Sequence, residues 1–586
     1  MPVHIPDYPR PQFVREGWEN LNGPWKFAFD DENRGEAEHW YRALPAQREI
    51  EVPFTYETPA SGIGEAAFHP VVWYGRTVTL APEAGREVLL HFEGSDYHTR
   101  LWVNGQLAGE HRGGYTRFTF DITALAQPGE NTLVVRVEDS DDTQQPRGKQ
   151  RWLKENFGCW YVQTTGIWKT VWLETAAPAR LERVKMTPNL ASASLWVEWK
   201  VKTGGASGLS LKVDISFEGQ DMGGIVVPVP AERGRFNLSV GSKELSPWGL
   251  RVWSPESPEL YDIRFQLLHG GALVDTVDSY FGMREVSINN GQVLLNGKPC
   301  YQRLLLDQGY WPDSHLTPPS EAALIEDIDK TAAMGFNGMR KHQKVEDERF
   351  YYWCDVKGLL VWSEMPSAYT FGDDMVANFL DEWRQVVQMH YNHPCVITWT
   401  PINESWGVPE IAEDRMQQSF SQAVYHLTKA MDNTRPVIVN DGWEHTVSDI
   451  ITLHDYEEKG EVFFERYASQ KDGILGGTVR HNRGKLAFAE GFAYRGQPVL
   501  ISEYGGAAFS GKAGGAWGYG NGVPDAQALA ARIESMTDAI MRLPYVCGYC
   551  YTQTTDVQQE VNGLLDEQRQ PKADMAVLRE IFGREP

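Results

Sequence analysis

No stretch of the 586-residue chain is apolar for long enough to span a membrane. The opening residues, Met1-Pro-Val-His-Ile-Pro-Asp-Tyr-Pro-Arg10, carry no apolar targeting core and no small-residue cleavage tail, so cytoplasmic residence is the expectation. Cysteine is scarce. Cys159, Cys300, Cys354, Cys395, Cys547 and Cys550 are scattered through a large chain, which is not a disulfide framework. Cys547-Gly-Tyr-Cys550 has redox spacing but lies inside a strand-like run, so core thiols are the better reading. Positive charge is also short: 55 Lys and Arg against 79 Asp and Glu leave a formal net charge of −24. That balance argues against nucleic acid or an anionic membrane as partner, and disfavours a strongly anionic polymer as substrate. There is no internal repeat.

What the chain has in quantity is aromatic surface, with 21 Trp, 24 Tyr and 24 Phe. Such rings stack on the apolar faces of sugars, and they also fill β-sandwich cores. The length calls for roughly three or four domains. Residues 1–177 alternate short β-type runs with turn signals, among them the hairpin dipeptide Asn104-Gly105, and predict a β-sandwich. Residues 178–283 repeat the pattern at the length of an immunoglobulin-like sandwich. From 284 to 586 the pattern changes to apolar strands alternating with helix-like segments. Eight candidate strands are Tyr301–Asp307, Phe336–His342, Leu359–Met365, Val396–Glu404, Pro436–Asp441, Ile451–Tyr456, Pro498–Gly505 and Val546–Gln553, the count for a (β/α)8 barrel.

Two glutamates then stand out. Glu404, in Trp399-Thr-Pro-Ile-Asn-Glu404-Ser-Trp406-Gly, would end the fourth strand, and Glu503, in Pro498-Val-Leu-Ile-Ser-Glu503-Tyr-Gly-Gly, the seventh. A parallel barrel builds its active site at that end of its strands. One such Glu ordinarily caps a helix or makes a surface ion pair. Two, each set among aromatic, Asn and Gly residues after a buried-looking strand, are the minimum for cleaving a glycosidic bond.

With these motifs the chain resembles the family 2 glycoside hydrolases, the group of β-galactosidases, β-glucuronidases and β-mannosidases. The resemblance runs through Tyr8-Pro-Arg-Pro-Gln-Phe13, Leu21-Asn-Gly23, Thr165-Gly-Ile-Trp-Lys-Thr-Val-Trp-Leu-Glu174, Trp253-Ser-Pro-Glu-Ser-Pro-Glu-Leu-Tyr261, Phe281-Gly-Met-Arg-Glu285, Leu295-Asn-Gly-Lys-Pro299 and Asn392-His-Pro394. It implies a jelly-roll-like sandwich, an immunoglobulin-like sandwich and a catalytic barrel, with no cofactor, acting on a small glycoside or oligosaccharide. The subunit count stays open, a homo-oligomer included.

By the same resemblance Glu404 is the general acid/base, Glu503 the nucleophile, Asn403 the ligand of the sugar 2-hydroxyl and Tyr456 a hydrogen-bond donor to the nucleophile. Asp307, Arg340, His342, Glu364, Trp406 and His454 fall at strand ends or rim positions and complete an expected substrate shell with Trp160. In some β-galactosidases the counterpart of Glu364 holds magnesium, but the companion histidine is Pro366 here, so no metal site is predicted. Relatives that act on galactosides or glucuronides place an Asp where this chain has Trp160. The Asn-x-Lys clamp of β-glucuronidases has no counterpart in Gln559-Glu-Val-Asn562-Gly-Leu-Leu-Asp566. The expected activity is therefore a retaining exo-glycosidase, β-galactosidase-like, with an arabinoside, mannoside, galactofuranoside or glucuronide as alternative substrates. A transglycosylase would share the covalent intermediate; a non-catalytic sugar-binding protein would gain nothing from two converging acids. The stretch Gly506-Ala-Ala-Phe-Ser-Gly511-Lys512-Ala513 imitates a phosphate loop but lacks its last hydroxyl. The surrounding glycine-rich run, Gly505 to Gly522, reads as a flap over the sugar or as a plain surface loop.

Overall fold

The computed structural model describes residues 4–241, 250–511 and 515–585. Lys512 and Ala513 of the phosphate-loop imitation lie outside the described residues. The first β region pairs a four-stranded sheet (Trp18–Asn20, Val171–Ala176, Glu87–Phe92, Phe118–Asp121) with a six-stranded one. Alternating residues of both sheets, among them Trp25, Phe27, Tyr74, Leu90, Leu101 and Val135, meet in one apolar core. Asn104 and Gly105 both take positive φ (52° and 74°), the twist that a two-residue hairpin loop requires. The second β region stacks a three-stranded sheet on a four-stranded one, in an immunoglobulin-like sandwich.

The catalytic-type barrel carries seven parallel strands in the order Val396–Thr400, Leu360–Glu364, Gly338–Lys341, Gln302–Asp307, Val546–Thr552, Val499–Gly505 and Ile451–His454. Its fifth stave departs from expectation: only Asn440–Asp441 forms a ladder, with Ile402–Asn403. Pro436 has no N–H, and the N–H groups of Val437 and Val439 donate to the Asp449 carboxylate and the Ser448 hydroxyl instead of to a neighbouring strand. Five of the helices start where a side-chain acceptor precedes them, whereas Asp373–His390 follows Gly372 and has none. Ser320, Asp347, Asp414, Asp525 and Asp574 each accept from a first-turn N–H. The helices Gly460–Ser469 and Lys471–Leu475, which the sequence pattern does not signal, have no side-chain cap.

A loop of the first sandwich lies over the barrel mouth. The N–H groups of Arg147 and Gly148 donate to Ser367 O, Asn156 Nδ2 donates to Gln558 Oε1 at 2.6 Å, and Gln559 Nε2 donates to Trp160 O at 2.9 Å. All six cysteines are free thiols. Among the described residues, no helix is long and apolar enough to cross a membrane.

Candidate active site

At the carboxyl ends of the barrel strands one buried arginine organises four polar groups. Arg340, on the second strand, donates through Nε to Glu364 (2.7 Å), through Nη1 to Glu503 (2.8 Å) and through Nη2 to Asn403 Oδ1 (2.6 Å). Its Nη1 also pairs with Asp441 at 2.6 Å. Burial opposes a charge here, but the three carboxylates outweigh it and hold the guanidinium charged. Glu503 is likewise pulled in two directions. Burial raises its pKa, while His454, Arg340 and His342 and the Tyr456 hydrogen bond together bring it below the ordinary carboxylate range. A carboxylate held ionised in a nearly dry site is the state a nucleophile needs.

Glu404 follows the fourth strand on a left-handed turn: Glu404 has φ 52° and Ser405 φ 60°. Two consecutive non-glycine residues there cost on the order of 1–3 kcal/mol each. Glu404 N–H donates to Asp441 O and Ser405 N–H to Asn440 Oδ1, each at 2.9 Å, so the fifth stave fixes the turn. The result aims Glu404 back over the barrel. Its side chain is 18% exposed against 6% for Glu503, which puts Glu404 nearer the mouth. His454 bridges the two, with Nδ1 at 2.8 Å from Glu404 Oε1 and 3.5 Å from Glu503 Oε2. A carboxylate oxygen of each glutamate and a ring nitrogen of His454 all lie within 4.8 Å of one another.

Around this pair, Asn403 spends its carbonyl on Arg340, and its Nδ2 is buried without a partner. The Tyr456 hydroxyl donates to Glu503 Oε2, and its ring stacks on Tyr519 of the glycine-rich run at 3.4 Å and 7°. Trp517 of the same run donates to Gly158 O at 2.9 Å, which ties it to the first sandwich. Trp160 lies in a cluster with Trp152, Phe157 and Tyr369, and its ring centroid is 5.7 Å from that of Trp406.

Two expected shell members sit elsewhere. Asp307 is on the outer face of the barrel wall, paired with Lys341, which also pairs with Glu346. Strand faces alternate: Arg340 points inward and Lys341 outward, and Asp307 registers with Lys341. Glu364 lies beneath the site, fully buried. Its oxygens accept from Arg340 and from the backbone and side chain of Gln343, and pair with His342 at 3.0 Å. Neither is placed to touch a sugar. His342 is nonetheless inside, between Glu364 and the Trp406 ring at 6.3 Å.

Residues 18–176 match the description "Glycosyl hydrolases family 2, sugar binding domain", 179–284 "Glycosyl hydrolases family 2", and 286–584 "Glycosyl hydrolases family 2, TIM barrel domain". The chain belongs to glycosyl hydrolase family 2. A Formosa agariphila protein with a provisional beta-glucuronidase name is 28% identical over 64% of the chain, and the beta-galactosidase of Thermoanaerobacter pseudethanolicus 25% identical over 75%. The chain spans only 45% and 56% of the lengths of those two. The beta-glucuronidase of Paenibacillus borealis is 24% identical, with 98% of each chain covered. Among solved structures, Bifidobacterium dentium beta-glucuronidase complexed with coumarin-3-O-glucuronide superposes with TM-score 0.80 at 19% identity, covering 99% of both chains. A GH2 beta-galacturonidase from Eisenbergiella tayi superposes with TM-score 0.75 at 19% identity, covering 97% of both.

Three polar residues of this family 2 site are not signalled by the motifs. Asp441 ends the irregular fifth stave, and an acid at a barrel strand's carboxyl end was the available clue. Glu560 is a buried carboxylate that accepts from Tyr161 Oη, from Asn562 Nδ2 at 3.0 Å and from Gln308 Nε2 at 3.4 Å. Lys149, only 6% exposed, lies over the Trp406 ring at 4.8 Å, and among the described residues it makes no ion pair. Nothing local in the sequence marks the last two.

Proposed function

We propose that the chain is a retaining, exo-acting glycosidase that removes one non-reducing terminal sugar from a small glycoside. The observation that carries this reading is the pair of strand-end carboxylates, Glu404 and Glu503, with oxygens inside 4.8 Å. Retaining enzymes need about 5 to 5.5 Å between the two groups, whereas inverting ones leave room for a water. Glu503, ionised and steered by Arg340 and Tyr456, attacks the anomeric carbon as Glu404 protonates the departing oxygen. Glu404 then takes a proton from the water that releases the sugar. The free Nδ2 of Asn403 is aimed to bond the 2-hydroxyl as positive charge develops on the ring. Closure of the mouth by the 158–160 segment and the Trp517 loop supports exo action.

For the sugar, Glu560 favours a neutral one, such as a galactoside or arabinoside. Asn562, the residue closest in sequence to a uronate clamp, already donates to this carboxylate, so the protein supplies its own anion on that wall. A uronide is the second reading, favoured by Lys149 and by the beta-glucuronidase names of the relatives. Aryl glycosides of galactose, arabinose, mannose, glucose, fucose and glucuronic acid test both. Turnover of a neutral member with retention of configuration supports the proposal. Turnover of the glucuronide alone would install the second reading, and turnover of none would remove the glycosidase assignment. Product analysis with an alcohol acceptor separates hydrolysis from transglycosylation.

Trp160 bears on the same question. With its ring against Trp406, Trp160→Ala should lower kcat/KM by roughly 1–3 kcal/mol through lost stacking and water exclusion. Trp160→Asp should shift relative rates toward galactosides if the preferred sugar is another. An unaltered substrate profile in both variants would make Trp160 a packing residue.

Metal independence is expected as well. Glu364 has its oxygens committed to Arg340, His342 and Gln343, and Pro366 offers no ligand. Exhaustive chelation should leave kcat/KM within about twofold. A larger loss restored by magnesium would contradict this.

A further inference from the structure

His454 is placed more tightly than a sugar ligand needs to be. The side chain is fully buried, with Nε2 at 2.9 Å from Asp441 Oδ2 and Nδ1 at 2.8 Å from Glu404 Oε1. A Cβ on Gly442 would stand 2.7–2.8 Å from three ring atoms, so the backbone presses on one face, and Trp443 meets the ring edge-on at 5.5 Å. The ring has one orientation. The charged groups facing it are Glu404, Glu503 and Asp441, with Arg340 behind the last two. His445 and His481 also act on it, but burial lowers each to about 4, so both are neutral at working pH. Burial would deprotonate His454 too. The charges of Glu503 and Asp441, with the hydrogen bonds to Asp441 and Glu404, outweigh burial and raise its pKa to about 10.

We infer that His454 and Glu404 hold the acid/base proton jointly: it rests on His454 Nδ1 in the free enzyme and passes to Glu404 when the leaving group departs. The inference rests on Glu404 being the acid/base proposed above. In glycosylation the Nδ1–H bond breaks and its proton reaches the glycosidic oxygen through the Glu404 carboxyl. The bonding pair of the anomeric C–O bond leaves with that oxygen, and a Glu503 oxygen supplies the pair for the new bond. His454 ends neutral, still donating Nε2–H to Asp441. The same step cancels the charge of Glu503, one of the carboxylates that holds the proton on the ring. Proton departure and nucleophilic attack therefore assist each other. In the second half, the water oxygen bonds to the anomeric carbon and yields its proton to Glu404 and thence to Nδ1, while the ester C–O pair returns to Glu503 and restores its charge.

Histidine-selective nitrogen NMR of the full chain reads the proton directly, with the His454 signal assigned by its loss in His454→Asn. Both ring nitrogens should be protonated through about pH 8 in the free enzyme. The titration should fall by about one pH unit or more once a 2-fluoro glycosyl group has esterified Glu503. A ring already neutral at about pH 7, or a titration unmoved by the ester, would overturn the inference. Kinetics give an independent reading. With the ring that carries the proton removed, His454→Asn and His454→Gln should lower the basic limb of kcat/KM by about one pH unit or more for alkyl glycosides. On dinitrophenyl glycosides, which need no acid, the loss should be smaller than on alkyl glycosides and the basic limb should not move. A limb that stays or rises on alkyl glycosides would mean a fixed positive charge beside a carboxyl with its own proton, which rejects the shared site. If instead the wild type turns over no glycoside and Glu503 takes no label, it is the glycosidase reading that fails.

Discussion

Glu503→Gln is expected to fold and to lose at least ~10³-fold in kcat, equivalent to about 4 kcal/mol of transition-state stabilisation. Folding should survive because Arg340 keeps Glu364 and Asp441 as partners, and the Tyr456 hydroxyl can still donate to the amide oxygen. Catalysis should not, because a neutral amide at this position cannot attack the anomeric carbon and no other carboxylate has Glu503's place. Asp441 and Glu364 lie deeper and are held by Arg340 and their own partners. The matching measurement is mass spectrometry after a 2-fluoro glycoside of the preferred sugar, which should tag the peptide containing Glu503. A tag on another carboxylate would reassign the nucleophile. A circular dichroism melt near that of the wild type separates lost chemistry from lost fold.

How far the residues alone lead can be read from particular positions. The helix Ala526–Met541 is legible to the residue because Asp525 caps it and an amphipathic pattern follows. The barrel strands are legible because apolar runs recur between helices. Pro436–Asp441 looks like its neighbours in sequence, yet Asp449 and Ser448, from the turn beyond it, take the N–H groups of Val437 and Val439, and only that of Ile438 reaches the fourth strand, at Trp399 O. Asp307 shows the limit of a strand-end rule. The end of the strand is correct, but the face is set by register with Lys341, and register is a tertiary property. Glu404, Asn403, Arg340, Tyr456, Glu503 and His454 are brought together because each lies at, or just beyond, the carboxyl end of one of four barrel strands. Lys149 and Glu560 come from loops about 400 residues apart that meet only when the first sandwich seats on the barrel, so no local pattern announces them.

Glu404→Ala should divide substrates by their leaving group. Where the departing alcohol needs a proton, as in alkyl glycosides, the loss should reach roughly 10²–10⁴-fold, the usual worth of a positioned general acid. For dinitrophenyl glycosides the first step needs little assistance, and the burden moves to hydrolysis of the glycosyl-enzyme, which lacks its base. The structure gives a reason to expect azide to relieve that second step. Removing the carboxylate vacates space beside His454, whose Nδ1 then loses its 2.8 Å partner while Asp441, at 2.9 Å from Nε2, still favours its charge in the glycosyl-enzyme. A small anion can occupy the gap, pair with that imidazolium and attack the ester without general base help, giving a glycosyl azide with the configuration of the substrate. Glu404→Gln should respond less to azide, because the amide fills the same volume. Product analysis decides the matter: uniform losses across leaving groups with no glycosyl azide would take the acid/base role away from Glu404, and azide products of inverted configuration would take the retaining mechanism with it.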